Sequence, residues 1–200
     1  MKQKNFEREL PDGYRLALVV DAKNAKFGLI FNIIAFLVLV VVMIAAYFLL
    51  KVRQDVSESG LTENYFAATL IFMVAVVVYL VLHELVHGLA YKALTGEKLT
   101  FGLSWSCAYC GVPNIFTYRR VSLIAVAAPF VFFTVIFIPI LVMLYYLSPL
   151  YFMLSAAIFG LHLGGCSGDI YIMCLLLFKY KGAETLMNDT GPKMSLYVKE

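Results

Sequence analysis

Charge is what this sequence is shortest of. Asp, Glu, Lys and Arg make up 14% of its 200 residues, where a soluble domain carries about 25%. With 62% hydrophobic residues and a mean hydropathy of +0.85, an ordinary soluble domain is excluded. The net charge is only +3, with the cations spread over several segments, so nothing points to nucleic acid. Histidine is scarce, with three in the chain, and cysteine is limited to Cys107, Cys110, Cys166 and Cys174. Cys107 and Cys110 form a C-x-x-C pair. No second pair follows at zinc-ribbon spacing, and the strand-helix context of a thioredoxin motif is missing. Small residues in a packed loop are the simpler reading, with a redox or metal pair as the other. Cys166 and Cys174 fall in an apolar stretch as helix-packing residues.

What the chain has instead is long uncharged runs. Residues 27–50 carry no charge between Lys26 and Lys51. About 20 apolar residues span the hydrocarbon of a bilayer, so this is a first span. It starts too late and runs too long for a cleavable signal, and is expected to stay in the membrane. A second helix is expected over residues 65–94, with Gly96 as its C-terminal cap. At about 45 Å it exceeds the bilayer core and should tilt or project. Residues 121–168 are again free of charge and too many for one crossing. Ser148-Pro149 divides them into a third helix (121–147, kinked at Pro129 and Pro139) and a fourth (150–178). Between the second and third helices, Leu99, Phe101, Leu103 and Trp105 alternate with Thr100, Gly102, Ser104 and Ser106. Period two marks a strand, and residues 115–118 could return as another after a turn. Such a ribbon could hold an extended peptide by strand addition, or simply lie on the membrane surface.

The expected fold is thus an all-α membrane protein, four transmembrane helices in a bundle, with a short strand-like ribbon between helices 2 and 3. Residues 27–180 form the membrane domain, 1–26 a juxtamembrane helix or loop, and 181–200 a polar tail. Lys and Arg number six before the first span, four between the second and third, and four after the fourth, against two between the first and second. That asymmetry puts both termini and the ribbon in the cytosol.

The second span ends on His83-Glu84-Leu85-Val86-His87, an H-E-x-x-H. On a helix, residues four apart share a face, so His83 and His87 can bind one metal. Glu84 stands beside the first of them, where water activated by the metal would need a base. Ionisable groups within a membrane are expensive and functional by default; polar groups satisfying one another across helices are the plainer alternative.

Two histidines leave a zinc site one protein ligand short. Asp169 is the only acid between Glu97 and Glu184. It lies about 28 Å along the fourth helix and His83 about 27 Å along the second, and the two helices run in the same direction. Asp169 is therefore the expected third ligand, at a similar depth near the cytosolic side. Gly160, Gly164, Gly165 and Gly168 precede it and would let backbones approach closely. His162 shares the Asp169 face but sits about 10 Å further out. It is expected to be a substrate or oxyanion contact, or a hydrogen-bonded packing residue.

H-E-L-V-H in one membrane helix, then a ribbon, then a glycine-rich helix carrying Gly168-Asp169, resembles the putative zincin peptidases. This group is related to the intramembrane zinc metalloproteases of the site-2 protease class. The latter carry their Asp in an Asn-Pro-Asp-Gly or Leu-Asp-Gly setting, where this chain reads Ser167-Gly168-Asp169-Ile170. The resemblance covers residues 65–178. It implies a zinc peptidase in the cell membrane, with Zn²⁺ on His83, His87 and Asp169 and Glu84 as general base. Its substrate would be a membrane-spanning or membrane-proximal peptide. A non-catalytic metal-binding membrane protein, or a hydrolase of a lipid-like substrate, are the readings it competes with.

Overall fold

The computed structural model describes residues 4–21, 24–53, 64–103 and 108–200. Among these, four helices are long and apolar enough to cross a membrane. They are α1 (Ala25–Val52), α2 (Tyr65–Thr95), α3 (Arg119–Leu147), and a fourth stretch, Pro149–Lys179. The fourth consists of α4 (Pro149–Gly165), α5 (Ser167–Cys174) and a π-helical turn, Leu175–Lys179. Leu29, Phe36, Val41 and Phe48 of α1 are all more than half exposed, where a helix in water would show polar residues. Gly96 ends α2 with φ +73°, and its N–H bonds to the Lys92 carbonyl at 2.9 Å. Ser148 caps α4 by accepting from the Tyr151 N–H, with Pro149 opening the helix. α3 is continuous through Pro129 and Pro139.

Among the described residues, seven strands correct the expected all-α class. These are β1 (Phe6–Glu7), β2 (Tyr14–Asp21), β3 (Thr100–Leu103), β4 (Ala108–Gly111), β5 (Phe116–Tyr118), β6 (Thr185–Asp189) and β7 (Lys193–Lys199). The expected strand around Phe101 is β3, but it pairs with β4, Phe101 opposite Cys110, where a turn was expected; the expected return strand at 115–118 is instead β5 of the larger sheet, and residues 104–107 lie outside the described residues. The other strands make a five-stranded sheet in the order β1-β5-β6-β7-β2, antiparallel throughout. The terminal segments expected as a loop or helix and a polar tail are thus the bulk of a sheet. The physical reason is burial: Leu186 and Met187 are 0% and 1% exposed. Their apolar payload is small in sequence but entirely used.

The chain divides into two compact units. One comprises Met1–Ile30, Val81–Pro129 and Gly168–Glu200 and contains both sheets. Its core gathers Tyr91, Val112, Ile115, Val121 and Ala125, with Leu94 and Leu99 packed on them. The other comprises Phe31–Leu80 and Phe130–Ser167 and is helical. Its core is Ala46, Phe152 and Ala156, with Val42, Leu141 and Tyr145 against them. There α1 and α4 meet backbone to backbone. A Cβ on Gly164 would lie 2.6 Å from the Cα of Ala35, closer than any side chain allows.

Candidate metal centre

Four residues of α2 stand on one helical stripe, each four places after the last: Tyr79, His83, His87 and Tyr91. His83 and His87 are 9% and 7% exposed, and their rings lie edge to face, with centroids 5.1 Å apart. Asp169 comes from the first turn of α5 and is 8% exposed. The α4 helix has ended just before it, at Cys166, whose N–H still bonds to the His162 carbonyl at 3.0 Å. The expected single fourth helix is therefore broken at this point, and Asp169 belongs to the short segment beyond the break.

The geometry brings the three residues together. His83 Nε2 lies 3.4 Å from Asp169 Oδ2, and His87 Nε2 lies 3.5 Å from the same oxygen. One donor atom from each residue falls within 4.8 Å of the others. Ligands about 2.1 Å from a tetrahedral zinc are about 3.4 Å from each other, so the donor set fits the ion. His87 Nδ1 sits 2.9 Å from the Ala125 carbonyl of α3. A carbonyl only accepts, so Nδ1 carries the proton and Nε2 keeps its lone pair for the cation. Glu84 is half buried on the flank, and its carboxylate accepts from the Cys110 backbone N–H of β4. The ribbon approaches this closely because residue 88 is glycine. A Cβ there would lie 2.8 Å from Cys110 Sγ and 3.0 Å from Phe101 Cζ.

Beyond His87, the stripe ends in a second buried pair. Tyr91 is fully buried and its hydroxyl donates to Asp189 Oδ2 at 2.8 Å, while the Gly191 N–H donates to Oδ1 at 2.8 Å. Burial pushes the Asp189 carboxyl up to about 6, against the pull of the Gly191 N–H and Tyr91. The strand β6 carrying Asp189 is also tied to the ribbon, since the Val112 N–H donates to the Asp189 carbonyl at 2.8 Å. Neither Tyr91 nor Asp189 is among the sequence-derived candidates. The repeated four-residue spacing was visible for Tyr91; for Asp189, in a polar tail, there was no local signal.

Cys110 is a buried free thiol, pushed up to about 12 by burial first and then by Glu84 and Asp189. It is no ready thiolate. Its partner in the C-x-x-C motif, Cys107, lies outside the described residues.

His162 falls in the helical unit and is fully buried. Its Nδ1 is 3.0 Å from the Tyr79 hydroxyl and its Nε2 is 3.1 Å from Thr134 Oγ1. The rings of Phe130, Phe133, Phe137 and Phe159 surround it at centroid distances of 5.8 to 6.1 Å.

Comparison with known proteins gives one family. The sequence model of a family described as "putative zincin peptidase" matches residues 76–183, more than half of the chain, and the chain belongs to that family. No curated protein and no solved structure matches it.

Proposed function

From that membership and the geometry above, we propose that the protein is a membrane-embedded zinc peptidase. The observation that carries this reading is the convergence of two imidazole Nε2 atoms and one carboxylate oxygen at zinc-ligand spacing. In it, His83, His87 and Asp169 hold the cation, which supplies the Lewis acidity that activates water and polarises a carbonyl. Ala125 fixes the His87 tautomer through its carbonyl. Glu84 takes the proton from the attacking water and returns it to the departing amide nitrogen. The Cys110 N–H keeps the Glu84 carboxylate oriented until then.

The substrate is a peptide within or beside the membrane, because the site is carried on spans whose outer faces are apolar. The β3–β4 hairpin lies beside His87 at Gly88. That placement suits an extended peptide pairing with the hairpin edge. Both termini and the sheets lie in the cytosol, on the charge asymmetry of the loops.

Metal analysis of the purified wild type beside Asp169→Ala tests the site. The wild type should hold one zinc per chain, and the variant should lose it or bind it at least about 10²-fold more weakly. Full occupancy in the variant would remove Asp169 from the ligand set.

A further inference from the structure

Within the sheet unit, the two sheets share no strand, yet the end of β6 and the turn after it are fastened to the β4 segment. Asn188 Nδ2 donates to the Pro113 and Ile115 carbonyls, both at 2.9 Å. The Val112 N–H donates to the Asp189 carbonyl at 2.8 Å. A Cβ on Gly111 would run into the Gly191 nitrogen, and a Cβ on Gly191 or on Gly102 would run into the Tyr109 ring. Tyr109 is thus lodged between its cross-strand neighbour Gly102 and the β6–β7 turn. β6 already has β5 and β7 as ladder partners, so its own strand pairing requires none of these ties.

At that point β4 also holds Glu84. Along a strand, N–H groups alternate between its two edges, so those of Cys110 and Val112 leave on the same side. The first goes to the Glu84 carboxylate and the second to Asp189. Asp189 in turn binds α2, because its carboxylate accepts from the Tyr91 hydroxyl at 2.8 Å. One residue therefore grips both the strand edge and the helix that carries the base. Tyr91 stands seven residues beyond Glu84, about 10 Å along α2. A two-stranded hairpin is marginally stable by itself, so the place of the Cys110 N–H depends on what is fastened to β4 from outside.

We propose that Asn188, Asp189 and Tyr109 are positioning residues for the general base: they hold β4 so that its Cys110 N–H stays on Glu84. The role in turnover rests on the zinc-peptidase reading. These residues act through Glu84 and not on the zinc ligands. A catalytic group displaced by about 1 Å can cost about 10²-fold in rate, which sets the scale of the effect.

The test uses the full chain in detergent, with two readouts. The first is cleavage of the best-cut member of a quenched fluorogenic library of apolar peptides. Asn188→Ala and Tyr109→Ala should lower kcat by about tenfold to 10²-fold, with KM and zinc content at the wild-type level. Tyr109→Phe, which keeps the ring, should retain wild-type kcat. Tyr197→Ala removes a ring contact with Phe116 toward the other end of β7; it should melt lower and cleave like the wild type. In a Glu84→Gln background, Asn188→Ala should lower the residual rate no further. The second readout needs no turnover. It is maleimide labelling of the buried Cys110 thiol, located by mass spectrometry. Tyr109 and Cys110 point to opposite faces of β4, so loss of the ring does not itself uncover the thiol. Labelling should rise at least about tenfold in Asn188→Ala and Tyr109→Ala and stay at the wild-type rate in Tyr109→Phe. Unchanged kcat or unchanged labelling in the two alanine variants, zinc loss with the fall in kcat, a Tyr109→Phe as slow as Tyr109→Ala, an equal fall in Tyr197→Ala, or a further fall on top of Glu84→Gln would each overturn the proposal. A zinc-loaded wild type that cuts no peptide would instead sink the peptidase reading, and labelling alone would then decide whether residues 188–191 hold β4.

Discussion

His83 and His87 in the sheet unit, and His162 in the helical unit, are all buried histidines on apolar helices. They differ in what their ring nitrogens face. His87 gives one nitrogen to a backbone carbonyl and turns the other toward a carboxylate that His83 also faces. His162 meets a hydroxyl on each side, within a shell of phenylalanines. The aspartates show the same contrast. Asp169 faces two imidazoles, whereas Asp189 receives a tyrosine hydroxyl and a backbone N–H. A donor set that leaves lone pairs directed at one point suits a cation, and a set that pairs them internally suits packing. The partner of the second nitrogen is thus more informative than burial.

The sharpest way to break this comparison is at Glu84, which should matter to turnover and not to the donor set. Glu84→Gln should lower peptide cleavage by about 10²- to 10⁴-fold while zinc content stays at wild-type level. Zinc loss together with activity would put Glu84 among the ligands, and retained activity would end its part as base.

At His162 the expectation is reversed. His162→Gln should keep full zinc occupancy and lower the melting temperature. Gln cannot reach both Tyr79 and Thr134, and each stranded buried hydroxyl costs about 1–3 kcal/mol. Metal loss from this variant would erase the distinction between the two clusters.

Asp189 offers the smallest and most specific effect. Its folded value of about 6 lies above the unfolded carboxylate value of about 3.9. The folded state therefore holds its proton more tightly. Stability from this group is fully present below about pH 4 and is lost as the pH rises to about 6, on the order of 3 kcal/mol. Melting curves across that range should slope downward with pH in the wild type and less steeply in Asp189→Asn. Equal slopes would mean that Asp189 ionises freely in the fold.

Much of this was legible because it is local. Uncharged runs, the Ser148-Pro149 break and the Gly96 cap each depend on a few neighbouring residues. The motif at 83–87 is local as well, and the period-two alternation around Phe101 announced its strand, though its partner is Ala108–Gly111 and not residues 115–118. The five-stranded sheet was not legible, because its pairings are remote. Phe6 pairs with Thr117, and Tyr14 with Lys199. Short strands such as Thr185–Asp189 carry little signal of their own and are recruited by partners that composition does not reveal. The interruption at Cys166 was hidden for another reason. Residues 150–178 carry Asp169 as their only acid or cation, so their hydropathy reads as one helix, and the glycines that permit the break equally suit close packing.

The pairing of β2 with β7 also sets an order of events. Synthesis delivers one edge strand before any membrane span exists and its neighbour only after all of them. β6, with Asp189, likewise emerges late. Until then Tyr91 has no carboxylate to bond, and the strand that anchors Val112 is missing. A half-made chain can already contain both histidines and Glu84 yet lack the scaffold around them. The surroundings of the histidine–aspartate cluster are thereby completed only once β6 and β7 have followed the last span.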